Sequence, residues 1–374
     1  MKIIVLDPGL ASINGHHFDL DLRLFKTLQH RGHQVVVHGF IKPEHDLEHA
    51  AGVAGIQLCK TFRVKPYAPL PRDQSPHDAY RMLEDATSED LINVEKRGLW
   101  FWPTLTPYQL AAGLRVGAEI RQIGGAWWLP RVPLASGEGG SESGACSWAN
   151  STKRLMENKS NFLVGAYDEL LCQGFRTFSS GLTIHHLPCP HDGTQNKRQP
   201  KELKIIGFFG HQRRNRGLDI LPPLVDALLH KGFEVVIQDS SGKIKVRSYN
   251  SRLRVLDFID DFPAEIAKCD AIVWPSRWEA YTHSWSGVVS ESIATGVPVI
   301  VPSGCIPAEL VARYEAGTYF HEFSTEAILA AVEDAAARYP RLLAAARAAA
   351  RDWSAHNGTA RLAEWLESHS GVAT

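Results

Sequence analysis

The chain has 374 residues, 40 Lys and Arg against 41 Asp and Glu, and a hydrophobic fraction of 44%. At roughly 100–200 residues per domain, that length implies two domains, each able to bury a full core. Basic and acidic residues number 19 and 20 up to Asp192 and 21 and 21 beyond it, so neither half has the positive excess of a general nucleic-acid binder or a basic membrane-surface protein. Six cysteines, Cys59, Cys146, Cys172, Cys189, Cys269 and Cys305, are scattered without a CxxC pair or a zinc spacing. They read as reduced thiols of a cytoplasmic protein. The first residues lack the long apolar region of a signal peptide, and no run approaches the roughly 18 apolar residues of a spanning helix. The expectation is a protein that is soluble or at most peripheral to a membrane.

In chain order, Lys2-Ile-Ile-Val-Leu6 is a short apolar run bounded by Asp7-Pro8-Gly9, the pattern of a buried strand ending in a turn. A Gly-containing loop over 11–17 leads to Phe18, Leu22, Phe25 and Leu28 at helical spacing, and Arg31-Gly32-His33 closes that helix before the strand 34–38. The unit is βαβ, so its sheet is parallel. The same layout returns with a strand over 203–209, a polar loop from Gly210 to Gly217, a helix from Leu218 to His230 and a strand over 234–238. Two such openings about two hundred residues apart predict two doubly wound α/β domains, joined by the Pro-rich polar segment 187–200. Such domains bind ligands at the carboxyl ends of their strands, in a cleft. Residues 137–144 (GEGGSESG) read as a mobile loop, and 325–350 and 359–368 as closing helices.

Two segments carry candidate chemistry. The loop Gly210-His-Gln-Arg-Arg-Asn-Arg-Gly217 follows a strand, opens a helix and brings three guanidinium groups next to two glycines, which suits an anion; the plain alternative is a solvated basic turn. It is neither a P-loop nor a GxGxxG fingerprint, which argues against ordinary ATPases and nicotinamide dehydrogenases. In the second segment, residues 271–300, a strand ends at Pro275, a polar and aromatic loop follows, 287–295 is a helix, and Gly296-Val-Pro begins the next strand. Glu291 lies close to that helix's N-terminus, either as a capping residue or as a carboxylate facing the cleft. In the first half, Lys96-Arg-Gly-Leu-Trp-Phe-Trp-Pro103 and Ala126-Trp-Trp-Leu-Pro-Arg131 combine four Trp, one Phe and three cations. They read as buried core aromatics, with stacking on sugar faces or a membrane interface as the alternative.

In this order and spacing the motifs resemble those of a GT-B glycosyltransferase, most similar to glycosyltransferase family 4 (glycosyltransferase group 1), over essentially the whole chain. That family shows a Gly-Arg loop ending in Lys-Gly after the first strand of the second domain. Pro-Ser-x-x-Glu follows, then a Glu eight positions before a second Glu, then a Gly-x-Pro-Val strand. Here Gly210 and Arg216-Gly217 match the first element, Pro275-Ser276 and Glu279 the second, Glu291 the second Glu, and Gly296-Val-Pro-Val299 the last. Residues 256–262 and 184–192 stand where the family has its nucleobase-side strand end and its interdomain crossing.

The resemblance implies an α/β protein of GT-B fold, two Rossmann-like doubly wound domains facing across a cleft. Their expected bounds are 1–190 for the acceptor-side domain and 201–352 for the donor domain, with 353–374 a helix packing back toward the first. It implies that Arg216, in place of the family's Lys, holds the donor diphosphate. Glu291 would then accept from the ribose hydroxyls with Ser290 beside it, and Gly15 would let backbone approach phosphates and sugar. His211 stands where the family has Arg, so the second phosphate cation falls to Arg213 or Arg214. The position eight before Glu291 is His283, and Glu279 comes four residues too early. Either an insertion brings Glu279 in, or His283 replaces the first Glu. No His lies between His77 and His185, where the family has one facing the donor sugar, which leaves His16 or His17 for that place.

The implied activity is transfer of a sugar from a UDP- or GDP-sugar to a glycan, glycolipid or other acceptor, with retained anomeric configuration and no cofactor or metal. Arg214 and Arg216 would stabilise the departing diphosphate, and Glu279 or His283 the oxocarbenium-like sugar. A lipid-linked acceptor implies peripheral contact at the inner face of a membrane; no nucleic acid is expected. The alternatives are a nucleotide-sugar epimerase and an inactive sugar-nucleotide-binding protein of the same fold.

Overall fold

The structure is a computed structural model that describes residues 1–371 except 14–15, 67–74, 128–141, 158–160, 179–180, 195–197, 211–213, 241, 246–250 and 283. The chain forms two compact units. The first is Met1–Pro190 together with the segment from Thr359 onward, and the second is His191–Gly358.

In the first unit the order is β1 (Lys2–Leu6), α1 (His16–His30), β2 (Gln34–Phe40), α2 (His45–Val53), β3 (Leu58–Phe62), α3 (Pro76–Leu91), β4 (Leu99–Trp102), α4 (Pro107–Val116), β5 (Gln122–Ala126), α5 (Glu142–Glu157), β6 (Phe162–Ala166), α6 (Glu169–Phe178) and β7 (Ile184–His186). Its sheet runs β3-β2-β1-β4-β5-β6-β7 with every pairing parallel. Because helices cover both faces of such a sheet, its strands are apolar almost throughout: Ile3 to Leu6 are all buried, as are Leu99 to Trp102. The topological switch falls between β1 and β4, whose carboxyl ends are therefore where this architecture leaves room for a ligand.

The second unit runs β8 (Ile205–Phe208), α7 (Leu221–His230), β9 (Glu234–Gln238), β10 (Leu253–Leu256), α8 (Phe262–Ala267), β11 (Ala271–Val273), α9 (Gly287–Thr295), β12 (Val299–Pro302), α10 (Ile306–Arg313), β13 (Gly317–Phe320), α11 (Thr325–Ala337) and α12 (Tyr339–His356). The final helix, α13 (Thr359–His369), belongs to the first unit. The second sheet is parallel in the order β10-β9-β8-β11-β12-β13, with its switch between β8 and β11. Phe208, Leu221, Leu224, Val273, Ile300, Val332 and Tyr339 are among the side chains that fill its core.

The two expected βαβ openings are both present, and several bounds differ for identifiable reasons. Gly217, at φ 85°, stops the turn after β8, and Pro222 and Pro223 seat α7 at Leu221 rather than Leu218, because proline suits the first turn of a helix. Pro340 likewise splits the expected helix 325–350 into α11 and α12. Of the expected closing helix 353–374, residues 353–356 end α12 and α13 follows after Gly358, at φ 101°. Within the expected loop 137–144, residues 137–141 lie outside the described residues and Glu142 begins α5.

Candidate active site

In the second unit two loops leave the strands on either side of the switch, residues 209–220 after β8 and 274–286 after β11. The first opens at Gly210, whose φ of 93° is a left-handed conformation that favours glycine; its amide donates to Gln238 Oε1 at the end of β9, 2.8 Å away. Arg214–Arg216 form a single 3-10 turn that Gly217 ends. A side chain at Gly217 would put its Cβ 2.4 Å from the carbonyl oxygen of Pro275, so this glycine is what lets the two loops touch. Arg214 is exposed, and Arg216 is half-buried beside Gly210. The Arg216 Nε donates to the hydroxyl of Tyr281 at 2.7 Å, and its guanidinium carbon lies 5.9 Å from the centre of that ring. His211 and Arg213 lie outside the described residues.

The second loop carries a 3-10 turn, Trp278–Tyr281, in which Glu279 is exposed and Tyr281 is buried edge-on against Trp274, ring centres 4.5 Å apart. Arg277 donates to Asp219 and packs over Phe323. His283 lies outside the described residues. Ser286 caps α9, its hydroxyl accepting from the Val289 amide, and Gly296, at φ 75°, closes the helix before β12. Two polar atoms of this loop, Ser276 Oγ and Trp285 Nε1, are buried without a hydrogen-bond partner among the described residues. A buried donor without a partner costs about 1–3 kcal/mol, and Thr295 Oγ1 and Tyr339 Oη elsewhere in the unit are buried in the same way.

Glu291 and Ser290 sit in α9, fully buried. The Ser290 hydroxyl donates to the Ser286 carbonyl, one turn back. Both carboxylate oxygens of Glu291 accept from the segment that enters the unit: His191 Nδ1 donates at 2.6 Å and the Gly193 amide at 3.0 Å. That segment lies tight on the helix. A Cβ at Gly193 would meet the Ala294 carbonyl at 2.3 Å, and the His191 carbonyl accepts from Trp353 Nε1 at 2.7 Å. Glu291 thus anchors the chain entering the second unit, a role invisible from spacing because His191 is one hundred residues away.

In the first unit the carboxyl end of β1 carries a second polar cluster. Asp7 is buried and accepts from the Gly9 amide at 2.8 Å and from His17 Nδ1 at 2.7 Å. The imidazole lies so close to Gly9 that a Cβ there would fall 2.1 Å from its Cε1. One turn on in α1, Asp21 is buried beside Asp7, and neither of its oxygens has a partner of ordinary hydrogen-bond geometry among the described residues. Burial, then the charge of Asp7, pushes its carboxyl well above the usual range. Of the residues expected here, His17 joins this cluster, Gly15 lies outside the described residues, and His16 opens α1. Asp7 and Asp21 were not anticipated; the signal available was the four-residue spacing of His17 and Asp21, one helical turn.

The aromatic stretch is core, as expected, and not a stacking or membrane surface. Trp100, Phe101 and Trp102 are fully buried because they form β4, a central strand covered on both faces. The Trp100 indole donates to the Glu95 carbonyl and Trp102 to Gln122. Trp127 donates to the Pro103 carbonyl and packs on Tyr167 at 4.2 Å, while residues 128–131 lie outside the described residues. Burial pushes the Cys172 and Cys269 thiols up to about 12. Among the described residues no helix is long and apolar enough to cross a membrane.

Comparison with known proteins adds two findings. Residues 203–338 match the family model of glycosyl transferases group 1. No curated protein matches the chain. Among solved structures, the chain is similar to sucrose-phosphate synthase from Thermosynechococcus elongatus (TM-score 0.68, 14% identity, 98% of each chain covered). It is also similar to Anabaena HepE in complex with UDP and glucose (0.64, 15%, 100% of each chain). A third similar structure is the Streptomyces sp. SF2575 glycosyltransferase SsfS6 complexed with thymidine diphosphate (0.55, 17%, 98% of this chain and 99% of that one). The fold is therefore that of the GT-B glycosyltransferases.

Proposed function

We infer that this chain, whose residues 203–338 form a glycosyl transferases group 1 domain, is a glycosyltransferase that draws a sugar from a UDP- or GDP-sugar. It passes the sugar to a glycan or lipid-linked acceptor with retained anomeric configuration. The observation that carries this reading is the pairing of the two loops at the β8/β11 switch. One presents Arg214 and Arg216; the other presents Glu279 and the buried polar hydrogens of Ser276 and Trp285. UDP and glucose bound to HepE support a nucleoside diphosphate as the donor's leaving group.

As the bond between the anomeric carbon and the diphosphate oxygen breaks, negative charge gathers on the phosphate and positive charge on the sugar. Guanidinium groups already aimed at the phosphate lower that barrier more than they stabilise the intact donor, and in this reading they do so in place of a metal ion. In this reading Glu279 or His283 is the group that stabilises the sugar cation. Work on a lipid-linked acceptor takes place in the cytoplasm, at the membrane's inner face.

A donor that binds only the folded protein raises its melting temperature by mass action. In a melting series with UDP-, GDP-, ADP- and CMP-sugars, one donor class raises the transition, and Arg216→Ala abolishes that rise. A series in which no nucleotide sugar moves the transition overturns the reading.

A further inference from the structure

We propose that Tyr281 is a positioning residue, one that turns Arg216 into a fixed two-pronged clamp for the donor's diphosphate; this rests on the donor reading above. Arginine carries donors on three nitrogens. Here Nε is taken by the Tyr281 hydroxyl at 2.7 Å, and among the described residues the two terminal nitrogens have no partner. The anchor is itself immobile. Tyr281 is buried, its ring edge-on to buried Trp274, and a Cβ on left-handed Gly210 would stand only 3.2 Å from Arg216 Nη1. The guanidinium is thus held between a glycine and a tyrosine, with its fork edge left over.

A bidentate fork matches two phosphate oxygens, and fixing it in advance removes the rotamer entropy that a free arginine loses on binding. Lysine could not fill this role, since its single nitrogen cannot be anchored sideways and still present two parallel donors. The geometry also accounts for Tyr281 lying two residues beyond Glu279. The turn Trp278–Tyr281 sends Glu279 outward and the tyrosine inward, so one short turn serves both ends of the breaking bond.

The test measures binding of UDP, GDP, ADP and TDP, each beside its own nucleoside, to the full chain and to Tyr281→Phe, Arg216→Lys and the double variant. Phenylalanine keeps the ring packing on Trp274, and an unchanged ligand-free melting temperature checks that the fold is intact. The expected result is a loss of about tenfold in nucleoside diphosphate affinity for Tyr281→Phe, with nucleoside affinity unchanged. In the Arg216→Lys background the same change has no further effect, because there is no longer a fork to aim. An equal loss for nucleoside and diphosphate, or an undiminished loss in the lysine background, overturns the proposal. Wild-type protein that binds every diphosphate no better than its nucleoside overturns the donor reading and the proposal with it. Wild-type binding with Tyr281→Phe equally tight overturns the proposal alone.

Discussion

A carboxyl group cut off from water resists ionising, and Asp21 is both buried and next to a second carboxyl group, Asp7. Its folded-state pKa is raised above the ordinary 3.8 of the unfolded chain. The stability it contributes is therefore complete below that ordinary value and is lost as pH rises through the folded value. Asn offers the same shape without a proton to lose. Melting curves from about pH 4 upward are expected to show a decline in wild-type stability that Asp21→Asn flattens; parallel curves would refute this. The contrast between residues that were legible and those that were not is sharpest here. His17 stood out from its place beside a glycine loop. Its partner Asp7 did not, because Asp-Pro-Gly after a strand reads equally well as an ordinary turn. Glu291 was legible as a carboxylate in the first turns of α9, yet its two partners, His191 and Gly193, come from a segment a hundred residues away in sequence.

At the scale of elements, strands and helices followed from their apolar periods, and the errors fell where proline decided the outcome. Pro222, Pro223 and Pro340 moved or divided helices, whereas Trp-Phe-Trp, read as core, is the buried strand β4. The close packing of loops could not be read at all, since it depends on which backbone a glycine meets. Gly217 and Gly242 both have positive φ, 85° and 63°, but a Cβ at Gly217 meets Pro275 at 2.4 Å whereas one at Gly242 meets nothing within 4 Å. Alanine in a left-handed conformation costs roughly 1–2 kcal/mol by itself. Gly242→Ala is expected to cost about that much, a drop of a few degrees in melting temperature, and Gly217→Ala clearly more. Equal losses in thermal melts would mean that the contact between the β8 and β11 loops does not constrain the chain.

At the scale of the whole molecule, the first unit is closed by a helix from the far end of the chain. Glu367 of α13 accepts from Arg31 Nε at 2.7 Å and Nη2 at 2.6 Å and from His33 Nε2 at 2.6 Å, while the His369 carbonyl accepts from Arg121 Nε at 2.8 Å. His369 also stacks on Trp365 at 3.8 Å. The Arg31 guanidinium first, with His33 adding to it, holds the Glu367 carboxyl down at about 2 against the opposing effect of burial. A depressed carboxylate stabilises above its unfolded pKa, and that stabilisation is lost as pH falls through the folded value. The melting-temperature gap between wild type and Glu367→Gln is therefore expected to be widest near neutrality and to close between about pH 5 and 2; a gap independent of pH would show that the clasp carries no charge effect. The second unit, His191–Gly358, is in effect inserted into the sequence of the first. During synthesis at about 5–20 residues per second, the first sheet emerges early, while the helix that closes it arrives only after the inserted unit has been made. For those seconds α1 lacks α13, to which Thr27 is joined by the Thr359 hydroxyl at 3.3 Å, so the nascent first unit is exposed to chaperones and proteases until α13 has left the ribosome.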